Sequence, residues 1–337
     1  MATVWSLVAL LGCSESFSAA GLAAGGAPTT GDDAAGDDSG VDTAGSDTAA
    51  ADDDSGEVAE GDWPSACTSW AEPEQTGTVV DGSLDELSGV AASWRNPGVL
   101  WVLEDHAGPN TVFGLDPSGA TVASITLETT TNNDWESLAV GPCGDTTCIF
   151  VGDIGDNDHD RPWHGVLRIP EPEVLEDSTL TLAITPDIFP YVFPDGAWDS
   201  EGMAVLPDGR PVLFSKEYDT AQTSAYAFPI LVPDSTTTLE YLGRFSTGVD
   251  GDTGAAAVTG ADLWPDGERL ILRTYGHIWE FPLSDGDLST VDAAARVERS
   301  TGEERQGEAI SYDPIARTFV TVSEGVNPPL WRVGCAD

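Results

Sequence analysis

One short pattern occurs five times along this 337-residue chain, and it limits the possible folds more than any other feature. Its fullest copy runs Asp134-Trp-Glu-Ser-Leu-Ala-Val-Gly-Pro-Cys143 and continues into Cys148-Ile-Phe-Val-Gly-Asp-Ile-Gly-Asp-Asn-Asp158. The others are Leu87-Ser-Gly-Val-Ala91, Ser200-Glu-Gly-Met-Ala204, Val258-Thr-Gly-Ala-Asp262 and Gly307-Glu-Ala-Ile-Ser311. Each copy passes through a turn, such as Pro207-Asp-Gly209 or Pro265-Asp-Gly267, into a second apolar run. In four copies a proline follows four residues after the central apolar residue (Leu138, Met203, Ala261, Ile310); in the first, Pro97 lies seven after Val90.

These central residues are 48, 65, 58 and 49 positions apart. Self-similarity at such a period marks a radial or stacked array. The units are rich in Val, Ile, Leu, Phe, Trp and Thr, are cut by Pro-Asp-Gly turns and show little helical periodicity, so they are sheets. A four-stranded propeller blade needs roughly 40–50 residues. The expected fold is therefore all-β: a β-propeller of five blades, each of four antiparallel strands. A β-sandwich would have no reason to repeat the acid ahead of the strand. After Ile310 there remain 27 residues, and another 27 lead from Trp63 to Val90, together about one repeat. An N-terminal strand at 76–80 should thus complete the last blade and protect its edge. The six-bladed alternative requires a motif-free blade hidden after Pro170.

The chain divides into three parts. Residues 1–13 form an apolar run ending Leu10-Leu-Gly-Cys13, too short to span a bilayer and suited to a signal-peptide core. The ending resembles a bacterial lipobox, which implies lipidation of Cys13, although no Lys or Arg precedes it. Residues 14–62 are mostly Ala, Gly, Asp, Ser and Thr, with thirteen acids and no base. Such a composition cannot bury enough apolar surface to fold. As a flexible acidic tether it would reach roughly 35–42 Å r.m.s.. Residues 63–337 are the propeller domain, long enough for a large core. The expected location is extracytoplasmic, anchored by lipid to the bacterial cell envelope, at the outer membrane, or secreted. The chain is expected to be a monomer.

Charge narrows the partners. With 58 acids, 13 bases and a net charge of −45, of which −32 falls on the propeller domain, nucleic acid and anionic surfaces are excluded and cations are favoured. Four cysteines lie in the folded part. Cys143 and Cys148 flank one turn; Cys67 and Cys335 lie at the two ends that ring closure would join. Two disulfides are expected in an exported protein, and the spacings do not suit zinc.

Antiparallel pairing puts the start of each first strand and the end of each second strand on one face. The motif acids Glu136, Glu201 and Glu308, with Ser88 and Thr259 at equivalent positions, should therefore meet at one mouth of the central channel. The strand ends contribute Glu104, Asp105, His106, Asp153, Asp156, Asn157, Lys216, Glu217, Arg273, Tyr275 and Glu324. Three carboxylates on inner strands repel one another, and a hard divalent cation would relieve them; oxygen-only ligands suit calcium or magnesium. The expected ligands are Glu136, Glu201, Glu308, Asp153, Asp156 and Asn157, with calcium as the expected ion. Alternatively, the glutamates accept backbone amides or pair with Lys216, Arg273 or Arg305. His106 is the candidate base for any catalysis. No Gly-x-Ser-x-Gly elbow, His-Glu-x-x-His or phosphate-cradling glycine loop occurs.

The blocks Trp135-Glu-Ser-Leu-Ala-Val-Gly-Pro, Val151-Gly-Asp-Ile-Gly-Asp-Asn157, Ser200-Glu-Gly-Met-Ala204 and Gln306-Gly-Glu-Ala-Ile310 resemble a bacterial family of secreted propellers. More remotely they are similar to phytase-like and gluconolactonase/SMP-30-like propellers. The gluconolactonase resemblance implies a divalent cation held at the channel mouth by acidic and amide side chains; the matching positions are Glu136, Glu201 and Glu308, with Asp153, Asp156 and Asn157 nearby. Three functions follow: a cation-binding propeller that presents its mouth to a small molecule or protein, a metal-dependent esterase, lactonase or phosphoesterase, or a purely structural surface propeller.

Overall fold

The five repeats form five β-sheets around one axis. The computed structural model describes residues 63–105, 108–175, 178–248 and 254–337; Cys13, the acidic stretch and His106 lie outside them. In chain order, β1 (Glu74–Thr78) precedes the first blade, β2 (Leu87–Ala92), β3 (Leu100–Glu104), β4 (Thr111–Leu115) and β5 (Thr121–Leu127). The second blade begins with β6 (Trp135–Cys143), β7 (Thr146–Asp153) and β8 (His164–Pro170). After β9 (Leu180–Ile184) comes its fourth strand, β10 (Asp187–Val192). The third blade is β11 (Ser200–Val205), β12 (Pro211–Ser215), β13 (Gln222–Ala227) and, after the short β14 (Thr237–Thr238), β15 (Glu240–Ser246). The fourth is β16 (Val258–Leu263), β17 (Arg269–Thr274), β18 (Ile278–Pro282) and β19 (Val297–Arg299). The fifth is β20 (Gly307–Asp313), β21 (Thr318–Ser323) and β22 (Pro329–Gly334), completed by β1. The inner strands β2, β6, β11, β16 and β20 pack each on the next around a closed circle.

The long segment after Pro170 holds no sixth blade. It sends β9 back to the first blade, where it adds a fifth strand parallel to β5, and then forms β10. Buried polar groups dictate this return. Glu171 accepts hydrogen bonds from the Ser93 hydroxyl (2.5 Å), Trp101 Nε1 (2.9 Å) and the Thr147 hydroxyl (2.6 Å). Asn96 binds the Pro172 carbonyl and the Val174 amide. A carboxylate so enclosed needs all these donors, since an unpaired one is costly to bury.

The closing strand is Glu74–Thr78, two residues earlier than the sequence suggests. Val79 and Val80 leave the sheet because their amides are taken by Pro328 and Gly119 carbonyls. Beside β1, Cys67 and Cys335 are bonded across 268 residues, and Cys143 and Cys148 staple the β6–β7 turn.

Hydrophobic burial is divided among the five blade interfaces, with one cluster in each. Trp101, Trp135 and Leu138 fill the first interface, Phe150, Met203 and Tyr226 the second, and Phe214, Leu272 and Phe281 the third. Trp264, Ile310 and Phe319 fill the fourth, and Val90, Val102 and Val320 the fifth. Each fully buried large side chain contributes about 1.5–3 kcal/mol, so every wedge stabilises two sheets at once.

One irregularity is repeated in all five blades. Pairing between the two innermost strands slips by one residue, leaving Ser88, Glu136, Glu201, Thr259 and Glu308 unpaired. The motif position is therefore a β-bulge, which bends a strand and re-aims a side chain. A small residue follows each bulge because the next inner strand comes close. At Gly260, for instance, a β-carbon would lie 2.9 Å from the Glu308 carbonyl oxygen.

Candidate functional site at the acidic channel mouth

The register confirms that the motif acids and the second-strand ends share one face: Leu87 opposes Glu104, Trp135 opposes Asp153, Ser200 opposes Ser215, Val258 opposes Thr274 and Gly307 opposes Ser323. Glu136, Glu201 and Glu308 are 3, 4 and 3% exposed. Burial makes a carboxyl hold its proton tightly. Burial, then the charges of Glu201 and Asp105, raise the Glu136 carboxyl well above the usual range. Burial pushes Glu308 up to about 8, against the Gln306 amide that donates to it at 2.6 Å. Burial also lifts Glu104 to about 7, and lifts Glu201 and Glu324.

The structure sorts the predicted ligands into engaged and available groups. Asp153 is held by Arg161 and by the Asn133 amide at 2.9 Å. Asp156 accepts the backbone amides of Asp160 and Arg161 and faces His164 Nε2 at 3.1 Å. It thereby caps its own loop, where His159 has a φ of 55°. Lys216 pairs with Glu201. Glu217 takes Arg244 and the hydroxyls of Ser215 and Thr220, and Arg273 pairs with Glu304 at 2.9 Å. Trp135 is core and fully buried.

One group of carboxylates converges without being predicted as a set. Oxygen atoms of Asp105, Asp134 and Glu136 all lie within 4.8 Å of one another. They line a cavity of about 720 Å³ whose rim carries Asn157, Asp158, Asp160 and Trp163. Gly155 packs against two of the carboxylates: a β-carbon there would lie 2.5 Å from Asp134 Oδ2 and 2.8 Å from Glu136 Oε1. The backbone is thus brought against two carboxylates where a side chain would displace them. Hard oxygen donors from two blades, with space beside them, fit a divalent cation of the calcium type. Arg161 flanks the group, 3.7 Å from Asp134.

Sequence reasoning missed Asp134, Gly155 and Arg161. Asp134 stands at the head of the fullest motif copy, directly before Trp135, and that position was the available signal. The closeness of Gly155 is a three-dimensional fact with no sequence mark.

No protein-family model matches the chain, and no curated protein matches it. Among solved structures, one assigned as a gluconolactonase shares 12% identity, covering 81% of this chain and 94% of its own, with a TM-score of 0.41. The glutaminyl cyclase of Myxococcus xanthus shares 11% identity, covering 77% and 95%, with a TM-score of 0.43. Such identities carry no information about activity.

Proposed function

We propose that this propeller binds a divalent cation, calcium by its donor chemistry, at Asp105, Asp134 and Glu136, and presents the adjoining cavity to a ligand. The observation that supports it most is the convergence of three carboxylates within 4.8 Å beside a glycine that leaves them room. The remaining predicted ligands serve differently in this reading: Asp153 and Asp156 shape the loop, and Glu201 and Glu308 belong to the neighbouring part of the mouth. Calorimetric titration of calcium into the full chain, wild type against Glu136→Gln, tests it. Wild type should bind, and the variant should bind at least about tenfold more weakly because a charged ligand is lost. Equal heats for both would remove the site.

A metal-dependent hydrolase acting on esters, lactones or phosphoesters is the second reading, favoured by the cavity volume, which lies within the roughly 300–1,000 Å³ of small-molecule sites. A bound cation would polarise an ester oxygen and make a water more acidic. Asn157, Asp158, Asp160 and Trp163 would contact the substrate, and His106 remains the candidate base. Turnover of an ester and phosphoester panel, lost in Glu136→Gln, would favour this reading over simple binding. In either case the ring is held outside the cytoplasm through a lipid on Cys13, a reading supported by Leu10-Leu-Gly-Cys13 and the acidic stretch that follows it.

A further inference from the structure

The chain has six tyrosines. Tyr191, Tyr226 and Tyr312 are buried. Of the accessible three, Tyr218 and Tyr275 meet hydroxyl to hydroxyl at 3.2 Å. Their rings are nearly parallel, with centroids 6.2 Å apart and an interplanar angle of 26°. Tyr241 has a different neighbour, the tilted ring of Tyr226, whose hydroxyl is taken by Asp195.

Both members of the pair are held in place. The Lys216 ammonium faces the two rings, 5.1 and 5.3 Å from their centroids, and a cation over an aromatic face is attracted to it. Lys216 is itself pinned by Glu201. Glu217 accepts the Ser215 and Thr220 hydroxyls, which closes the loop carrying Tyr218. The Tyr275 and Gly276 amides donate to the Ala257 and Ala255 carbonyls. Tyr218 follows β12 and Tyr275 follows β17, so their contact crosses from the third blade to the fourth on the mouth face. The disulfides lie on the opposite face, at the end of β6 and just past the end of β22. Among the described residues no cross-link joins two blades at the mouth.

We propose that Tyr218 and Tyr275 form a modification site, where oxidative coupling joins their rings by a carbon–carbon bond and fastens the third blade to the fourth. The oxidant is hydrogen peroxide acting through a haem peroxidase. Each phenol gives up one electron and its hydroxyl proton, and the peroxide takes both electrons and both protons to become two waters. The two phenoxyl radicals couple at ring carbons next to those that bear the hydroxyls, which the hydroxyl contact brings together. The hydrogen on each coupled carbon then moves to the phenol oxygen as the ring regains its aromaticity. Tyr218, 43% exposed, is the point of entry; Tyr275, half-buried, is oxidised through it. The site does not draw on the cation position at Asp105, Asp134 and Glu136.

The full chain, kept dilute so that chains do not join one another, should be treated with a haem peroxidase and limiting hydrogen peroxide. Wild type should gain dityrosine fluorescence, run as a monomer on a denaturing gel, lose two hydrogen atoms in intact mass and yield a cross-linked peptide holding both Tyr218 and Tyr275. Tyr218→Phe and Tyr275→Phe keep both rings over Lys216 and should lose the fluorescence. Tyr241→Phe should keep it, although Tyr241 is the more exposed at 49%. In denaturing urea the preference for this pair should vanish. Linked wild type should melt at a higher temperature than the unlinked chain, because the tie closes a loop that the unfolded chain would otherwise leave open. No link, a link mapped to Tyr226 and Tyr241, dimers without an internal link, or fluorescence that survives Tyr218→Phe would overturn the proposal. So would a linked chain that melts no higher, since the bond would then not fasten the two blades.

Discussion

Gly155 approaches Glu136 so closely that a β-carbon on the glycine would lie 2.8 Å from Glu136 Oε1. The glycine's φ lies outside the left-handed region, so alanine is permitted by the backbone and excluded only by the carboxylates. Gly155→Ala should therefore weaken calcium binding at least about tenfold while changing stability by no more than about 1 kcal/mol. Titration calorimetry with denaturant unfolding checks both. Large destabilisation with unchanged binding would mean that the close approach is a packing feature alone.

Proton release should accompany binding. Glu136 is held well above the ordinary carboxylate range, so it retains its proton at neutral pH until a cation arrives. Affinity for calcium should rise with pH, by up to about tenfold per pH unit while the Glu136 proton is being displaced. Titrations in two buffers of different ionisation enthalpy measure the protons directly; identical heats would show that the mouth is already ionised.

Much of this was legible in sequence because a propeller repeats its constraints. The spacing of Val90, Leu138, Met203, Ala261 and Ile310 gives the five blades, since each sits on an inner strand facing the next sheet. The pairing of Cys67 with Cys335 follows from ring closure. Other features were hidden for physical reasons. The register slip at Glu136, Glu201 and Glu308 leaves no trace in residue spacing, so their re-aiming toward the channel shows only in the ladder. The engagement of Asp153 and Asp156 depends on how one loop folds over Arg161 and His164. The parallel β9 could not be foreseen, because its place beside β5 is fixed by Glu171 reaching Ser93 and Trp101 across the blade interface.

Asp262 predicts a pH dependence of stability. Burial pushes its carboxyl up to about 7, although it accepts bonds from the Ser311 hydroxyl at 2.9 Å and the Tyr312 amide at 2.8 Å. The folded state thus binds the proton more tightly than the unfolded state. Its stabilising effect is complete below about pH 4 and is lost as pH rises through about 7. Because the residue is only half-buried, the change should be roughly 2 kcal/mol, about half of what full burial would give. Urea unfolding of wild type and Asp262→Asn at pH 4, 6 and 8 should show the difference between them falling with pH. A constant difference would refute the assignment.

The two disulfides should differ in worth. Cys67–Cys335 closes 268 residues and Cys143–Cys148 only five. Loop-closure entropy gives about 5 kcal/mol for the first and about 2 kcal/mol for the second. Replacing both cysteines of the long bridge by serine should lower the melting midpoint by at least twice as much as the same change in the short one. Equal effects would indicate that β1 is held by its pairing with β22 alone.

The central claim is that Asp105, Asp134 and Glu136 share one cation, and locating the ion tests it most directly. Crystals grown with calcium and again with terbium, measured at wavelengths where the ions scatter anomalously, should show a peak about 2.3–2.6 Å from oxygens of all three side chains, and none in Gly155→Ala. A peak elsewhere in the mouth, or no peak at saturating calcium, would contradict the account.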